Sequence, residues 1–329
     1  MRRALVTGGG GFVGGAIAQM LVQRGDQVTS VSRGAYPALE ALGVLHKRLD
    51  LTDTAALTRA MEGSEIVFHC AARAGIAMGR EPFQHANVAG TQSVLAAVKS
   101  CGVQKLVFTS SPSVAFDGSD HLQASNDLPY APRFLAPYPA SKAQAERMVL
   151  QANSSTLATV ALRPHLVFGP GDPHLVPRLI ARARAGQLAI VGRGDNEVSL
   201  CHVTNAALAH LAAGDRLEPG AAHAGKAYFI AQTESVHLWN WIARVLRELN
   251  APLPRRRIPL PLAYLAGIWL ENFTRPELEP RMSRFLALQL ASSHSYDMEP
   301  ARRDFGYAEQ VSMEQATQDL LRWARAERL

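Results

Sequence analysis

Tyr138 and Lys142 stand four residues apart in the run Ala136-Pro137-Tyr138-Pro139-Ala140-Ser141-Lys142. On a helix that spacing projects both side chains from one face. The chemistry it would serve is proton transfer. A phenol with a pKa of about 10 is a poor acid or base near neutrality, and a neighbouring ammonium favours its phenolate. Lys142 could also bind the ribose of a nucleotide. Taken alone, Tyr-x-x-x-Lys is common on exposed helices and carries little. Its weight comes from two other elements that precede it in the chain.

The first is Thr7-Gly8-Gly9-Gly10-Gly11-Phe12-Val13-Gly14, set between an apolar strand-like run and a helical pattern. Gly8, Gly11 and Gly14 permit a tight turn and let the backbone approach a pyrophosphate, and the helix that opens at Phe12 and Val13 offers free N–H groups. A dinucleotide fits this pattern. Where an NAD site carries a carboxylate after its second strand, this chain has Ser30-Val31-Ser32-Arg33. Ser32 and Arg33 suit a 2′-phosphate, so the reading is NADP(H) in preference to NAD. Asp50, after the third strand, could accept from the adenine amino group. The second element is Phe108-Thr109-Ser110-Ser111, which ends another strand. A hydroxyl there would overhang the cofactor crevice and polarise a carbonyl. Ser111 is the first choice, with Ser110 and Ser113 as alternatives.

These residues need a scaffold. Strand-like runs at 4–7, 28–32, 44–49, 66–70, 105–110 and 159–163 alternate with helical patterns at 14–24, 54–62, 84–100 and 141–152. Such alternation predicts an α/β fold, a Rossmann-type doubly wound parallel sheet. After Pro164 the pattern turns irregular, and a smaller, mostly helical C-terminal substrate lobe is expected. The boundaries drawn are 1–165 for the dinucleotide domain, with 195–235 returning to it, and 166–194 with 236–329 for the lobe.

Composition narrows the classes. With 47% apolar and 19% charged residues the chain packs as a globular protein. Its net charge of +6 comes without basic runs interleaved with aromatics, so no nucleic-acid partner is expected. Cys70, Cys101 and Cys201 are far apart and form no C-x-x-C pair, which reads as a reducing compartment. Glycines 8–11 interrupt the apolar start, so it is read as a strand and turn, and the protein as cytoplasmic. The stretch 258–270 is too short and Pro-interrupted to span a bilayer. Preceded by Arg255-Arg256-Arg257, residues 255–273 could instead touch the inner membrane face or a pathway enzyme; the rival reading is a buried helix of the lobe. His165 and His174 lack a third ligand at workable spacing, so no metal is expected. A homodimer is the expected assembly.

The glycine loop, Asp50, His69-Cys70-Ala71-Ala72, Asn87-Val88-Ala89-Gly90-Thr91, Thr109-Ser110-Ser111, Tyr138-x-x-x-Lys142 and Leu162-Arg163-Pro164 resemble, over nearly the whole chain, the motifs of extended short-chain dehydrogenases/reductases. Ser111-Pro112-Ser113-Val114 and the run from Leu162 to Pro173 resemble the 3β-hydroxysteroid and sterol-4α-carboxylate dehydrogenase branch. The segment from Met298 to Tyr307 resembles bacterial 2-alkyl-3-oxoalkanoate reductases of long-chain olefin biosynthesis, a branch of lipid metabolism. The resemblance implies an oxidoreductase with Tyr138 as acid/base, Lys142 as its partner and Ser111 as carbonyl donor. It also implies that Leu51, Ala71, Ala72 and Pro164 line the cofactor site. It points to a lipid-like substrate, a 2-alkyl-3-oxoalkanoate reduced to its 3-hydroxy acid. Ser113, His165, His174 and Arg178 are the substrate-side candidates, the last three as cations for its carboxylate. The alternatives are 3β-hydroxysteroid or sterol-4α-carboxylate dehydrogenation, nucleotide-sugar epimerisation or dehydration, and a non-catalytic NADP(H) sensor.

Overall fold

Strand residues that alternate between two apolar clusters set the centre of the molecule. In the computed structural model, which describes residues 1–173 and 175–329, Ala4 and Val6 of β1 (Arg3–Thr7) face one cluster and Leu5 faces the other. The same division holds along β2 (Gln27–Ser32), β4 (Ile66–His69), β5 (Lys105–Thr109) and β6 (Ala158–Pro164). Strands buried on both faces are what a parallel sheet with helices on either side requires. With β3 (Leu45–Arg48) and β7 (Lys226–Ile230) the sheet has seven strands, all parallel, in the order β7-β6-β5-β4-β1-β2-β3.

Helix α1 (Phe12–Gln23) covers one face, and α2 (Gly90–Cys101) and α3 (Pro137–Gln151) cover the other. Helix α4 (Val203–Arg216) packs against α1, and β7 pairs with β6 at the edge of the sheet. The strand order reverses between β1 and β4, and a crevice opens there beyond their carboxyl ends.

A third cluster, built on Val176, Ile180, Trp241, Val245 and Leu320, forms the lobe from helices Leu175–Arg184, Leu238–Glu248 and Met313–Ala326. The two units interleave more than the boundaries drawn from the sequence. Met298, Phe305 and Tyr307 pack into the cluster beneath the sheet, and the Tyr307 hydroxyl donates to the Ala231 carbonyl at 2.9 Å. Conversely, strand His121–Ala124 pairs with His294–Tyr296 in a small separate sheet. Among the described residues no helix is long and apolar enough to cross a membrane.

Candidate active site

The glycine loop turns where the sequence placed it. Gly8 adopts φ +69°, and the Gly11 N–H donates to the Gly8 carbonyl at 2.8 Å. A Cβ on Gly14 would sit 2.3 Å from that same carbonyl oxygen, and one on Gly8 would sit 2.8 Å from the Ala71 backbone. No side chain caps α1 at Gly11, so the N–H groups of its first turn at Phe12 and Val13 point to a ligand or to solvent.

Beside this loop lies a cleft of about 620 Å³ whose walls include Gly8, Gly11, Ser32, Arg33, Asp50, Leu51, Ala71 and Ala72. Arg73, His85 and Cys70 also line it. The Thr52 backbone N–H and hydroxyl both donate to Asp50, at 2.9 and 2.7 Å, and these bonds hold its carboxyl below the usual range. Arg33 and Arg48 share a shallow hollow of about 430 Å³ with Leu49 and Asp50. Gly14 lies under the loop and Pro164 at the end of β6; neither lines the cleft. The residues fit a dinucleotide: a turn too tight for side chains, an uncapped helix head, and cations where the second and third strands end.

Lys142 is buried on α3, and its Nζ donates to the Thr109 carbonyl at the end of β5 at 2.6 Å, 4.1 Å from the Phe108 ring centre. Burial pulls its pKa down to about 7, while Glu146, one turn along, pulls it up. Tyr138 is shifted the other way. Burial raises its phenol, and a hydrogen bond with Ser111 brings it partly back. The expected lowering of Tyr138 by Lys142 is absent: burial draws the ammonium down to about 7, so it has lost its charge by the pH at which the raised phenol ionises, and its Nζ is turned to the Thr109 carbonyl. Ser111 and Ser113 share a hydroxyl–hydroxyl contact of 2.9 Å, whereas the Ser110 N–H is tied into β6 through the Leu162 carbonyl.

His69, Asn87 and Arg163, quoted only as motif members, turn out to hold neighbouring groups in place. His69 is fully buried between Thr7 and Thr91, at 2.7 and 2.9 Å. The Thr91 hydroxyl donates to the Asn87 carbonyl, so it accepts from His69 Nε2; His69 Nδ1 then accepts from Thr7, whose oxygen takes the Ala71 N–H. Burial drives the pKa of His69 down to about 3, which keeps this neutral tautomer. Asn87 sits in a π-helical turn, Gln84–Ala89. Its side chain accepts from the Arg73 N–H (2.7 Å) and donates to the Arg73 carbonyl (3.0 Å) and the Ser141 hydroxyl (2.8 Å). Ser141 in turn donates to the Tyr138 carbonyl at 2.8 Å. Glu146 receives two bonds from Arg163, at 3.0 and 2.6 Å, in a buried pair. For Arg73 itself the sequence carried no signal.

Two substrate-side candidates need correction. His165 is buried and paired with His294, Nε2 to Nδ1 at 2.7 Å. His294 Nε2 donates to the Gln289 carbonyl, so its Nδ1 accepts from His165; burial holds both rings neutral, and His165 offers no cation to a carboxylate. Arg178 is engaged by Glu279 at 2.7 Å, far from a bare guanidinium. Ser113 is buried next to Ser111. His174 lies outside the described residues.

With the geometry in view, comparison with known proteins is direct. The model of the 3-beta hydroxysteroid dehydrogenase/isomerase family matches residues 5–262. The chain is 46% identical to the 2-alkyl-3-oxoalkanoate reductase of Stenotrophomonas maltophilia, over 97% of this chain and 98% of that one. It is 34% identical to the mouse (Mus musculus) sterol-4-alpha-carboxylate 3-dehydrogenase, decarboxylating, over 96% and 89%. The UDP-glucose 4-epimerase of Thermotoga maritima, solved with UDP-glucose, shares the fold with a TM-score of 0.76 at 19% identity, covering 99% and 100%. The chain belongs to the 3-beta hydroxysteroid dehydrogenase/isomerase family, among the extended short-chain dehydrogenases/reductases, and is an NAD(P)-dependent oxidoreductase.

Proposed function

We propose that this enzyme reversibly reduces the ketone of a 2-alkyl-3-oxoalkanoate to the 3-hydroxy acid with NADPH. The observation that carries the reading is the cluster of Ser111, Tyr138 and Lys142 beyond the end of a nucleotide cleft that has Arg33 directly after the second strand and Arg48 at the end of the third. Both cations favour a 2′-phosphate over a bare ribose. The bound nicotinamide supplies a hydride to the ketone carbon. The Tyr138 phenol, kept protonated by burial, gives its proton to the ketone oxygen, and Ser111 donates a hydrogen bond to the same oxygen. Lys142 is the residue that would hold the nicotinamide ribose.

The names of the two curated relatives share one chemical feature, a carboxylate one carbon away from the reacting carbon. Arg73 is the cation we assign to it in place of Arg178. It lines the cleft, has no acidic partner among the described residues, and its backbone is clamped by Asn87 to the helix that carries Tyr138. Its guanidinium carbon is 5.5 Å from the Phe83 ring centre, which is 6.4 Å from that of Tyr138.

The test is NADPH oxidation with a panel of 2-alkyl-3-oxo acids, their neutral ketone analogues, 3-oxosteroids and nucleotide sugars, with Tyr138→Phe as control. Turnover of the acids, lost in the control, is expected. Turnover of nucleotide sugars alone would overturn the reading. In Arg73→Gln the preference for acid over ketone should collapse; an unchanged preference removes Arg73 from the assignment.

A further inference from the structure

Helix Leu260–Phe273 is not the buried element that the rival sequence reading called for. Only Ala263 and Gly267 are buried, against the helix Arg284–Ala291. On the opposite side Leu262, Leu265, Trp269 and Phe273 stand 58%, 59%, 60% and 71% exposed. Their spacing of three and four residues makes one outward stripe, and the Trp269 and Phe273 rings lie against each other at 4.7 Å. An aromatic stripe of this length facing outward marks an interaction surface.

The segments that flank this helix in the chain form a basic hollow. The strand Arg256–Ile258 runs directly into this helix, and the loop after the helix returns through Arg281 and Met282; both walls enclose a cavity of about 320 Å³. Arg182 forms a third wall, and Leu188 and Leu290 line the cavity with it. None of Arg182, Arg256 and Arg281 has an acidic partner within ion-pair distance among the described residues, and neither do Arg255, Arg257 and Arg275 beside them. The nearby acids are committed elsewhere: Glu271 to Arg284 and Glu279 to Arg178, with Glu277 left over. Arg182 is half-buried; burial and Arg178 oppose its charge, and Glu279, already paired with Arg178, offsets them only in part. Unbalanced guanidinium groups around a partly apolar hollow call for an anion.

We propose that this face docks the enzyme on an anionic bilayer, the stripe entering the acyl boundary and the arginine hollow seating a lipid phosphate. Charge selects this occupant over a second copy of the chain, since a two-fold contact through the face would set arginines against arginines. The inference stands apart from the substrate reading above: it concerns where the enzyme sits, and a water-insoluble substrate would profit from it.

The test is co-sedimentation of the full chain with vesicles of phosphatidylglycerol and phosphatidylethanolamine, compared with pure phosphatidylcholine. Binding to the anionic vesicles alone, reversed by high salt, is expected. Each Arg→Gln change at 182, 256 or 281 should weaken it about fivefold. Trp269→Ser with Phe273→Ser should abolish it while NADPH binding, followed by cofactor fluorescence, stays intact and reports folding. Absence of sedimentation at low salt would overturn the proposal. So would equal binding by all variants, or a Trp269/Phe273 variant whose only change is a smaller oligomer by light scattering.

Discussion

Replacing Lys142 with Met should stabilise the fold while ending catalysis. The ammonium is buried, and its pKa falls from 10.5 to about 7, a difference near 3.5 units. At 1.36 kcal/mol per unit, holding that charge in the fold costs about 5 kcal/mol below pH 7. The bond to the Thr109 carbonyl and the Phe108 ring are lost with the charge, each worth about 1–2 kcal/mol. The net expectation at pH 6 to 7 is a gain of about 2 kcal/mol, read from urea unfolding without cofactor. The folded pKa lies below the unfolded one, so the penalty is complete at low pH and fades as pH rises from about 7 to about 10.5, where the unfolded chain also loses its proton. The advantage of Lys142→Met must therefore shrink across that window. A variant less stable than the wild type at pH 7, or a difference that does not change with pH, would refute the reasoning.

Gly14→Ala should raise the NADPH dissociation constant about 100-fold by fluorescence titration, because its Cβ meets a backbone oxygen at 2.3 Å and the loop must give by about 3 kcal/mol. Glu146→Gln leaves Arg163 as an uncompensated buried charge, and unfolding in urea should show a loss of about 3–5 kcal/mol. Arg33→Gln should cut the preference for NADPH over NADH about 30-fold in kcat/KM, through loss of one charge-assisted phosphate contact. Because burial raises the Tyr138 phenol above its usual value, oxidation of the 3-hydroxy acid should climb with pH well into the alkaline range, while reduction declines there. Parallel profiles in the two directions would contradict that assignment.

The scaffold was legible because it is written in periodicity. Alternation of strand and helix patterns needs only local sequence, and residues 4–7 or 105–110 could be read as buried strands on their own composition. The glycine loop was legible for a steric reason, since no other residue fits where Gly14 meets the Gly8 carbonyl. Long-range polar partnerships were not. Nothing near His165 in the sequence announces His294, and nothing near Arg178 announces Glu279, 101 residues away. Both residues looked available until the fold supplied their partners. Asn87 and Glu146 went unassigned for the same reason: their work is done on Arg73, Ser141 and Arg163, which only tertiary contact brings within reach. Arg73, with no motif around it, became a candidate only through the cleft it lines.

The correction with most consequence concerns Tyr138 and Lys142 themselves. Their spacing suggested a phenol primed as phenolate by an adjacent ammonium. In the fold the two are shifted toward neutrality together: burial keeps the phenol protonated and draws the ammonium down to about 7. A protonated phenol is the form that can give a proton to a ketone oxygen, so the site stands in the state that reduction consumes. Oxidation needs the phenolate, and the charge to stabilise it is at present held by the Thr109 carbonyl. Lys142 would have to leave that carbonyl, or act through a ribose hydroxyl lying between the two, before it could favour the phenolate. The pH dependence of the two directions is thus tied to where a single ammonium finds its acceptor, a choice set by the end of β5 and not by the four-residue spacing.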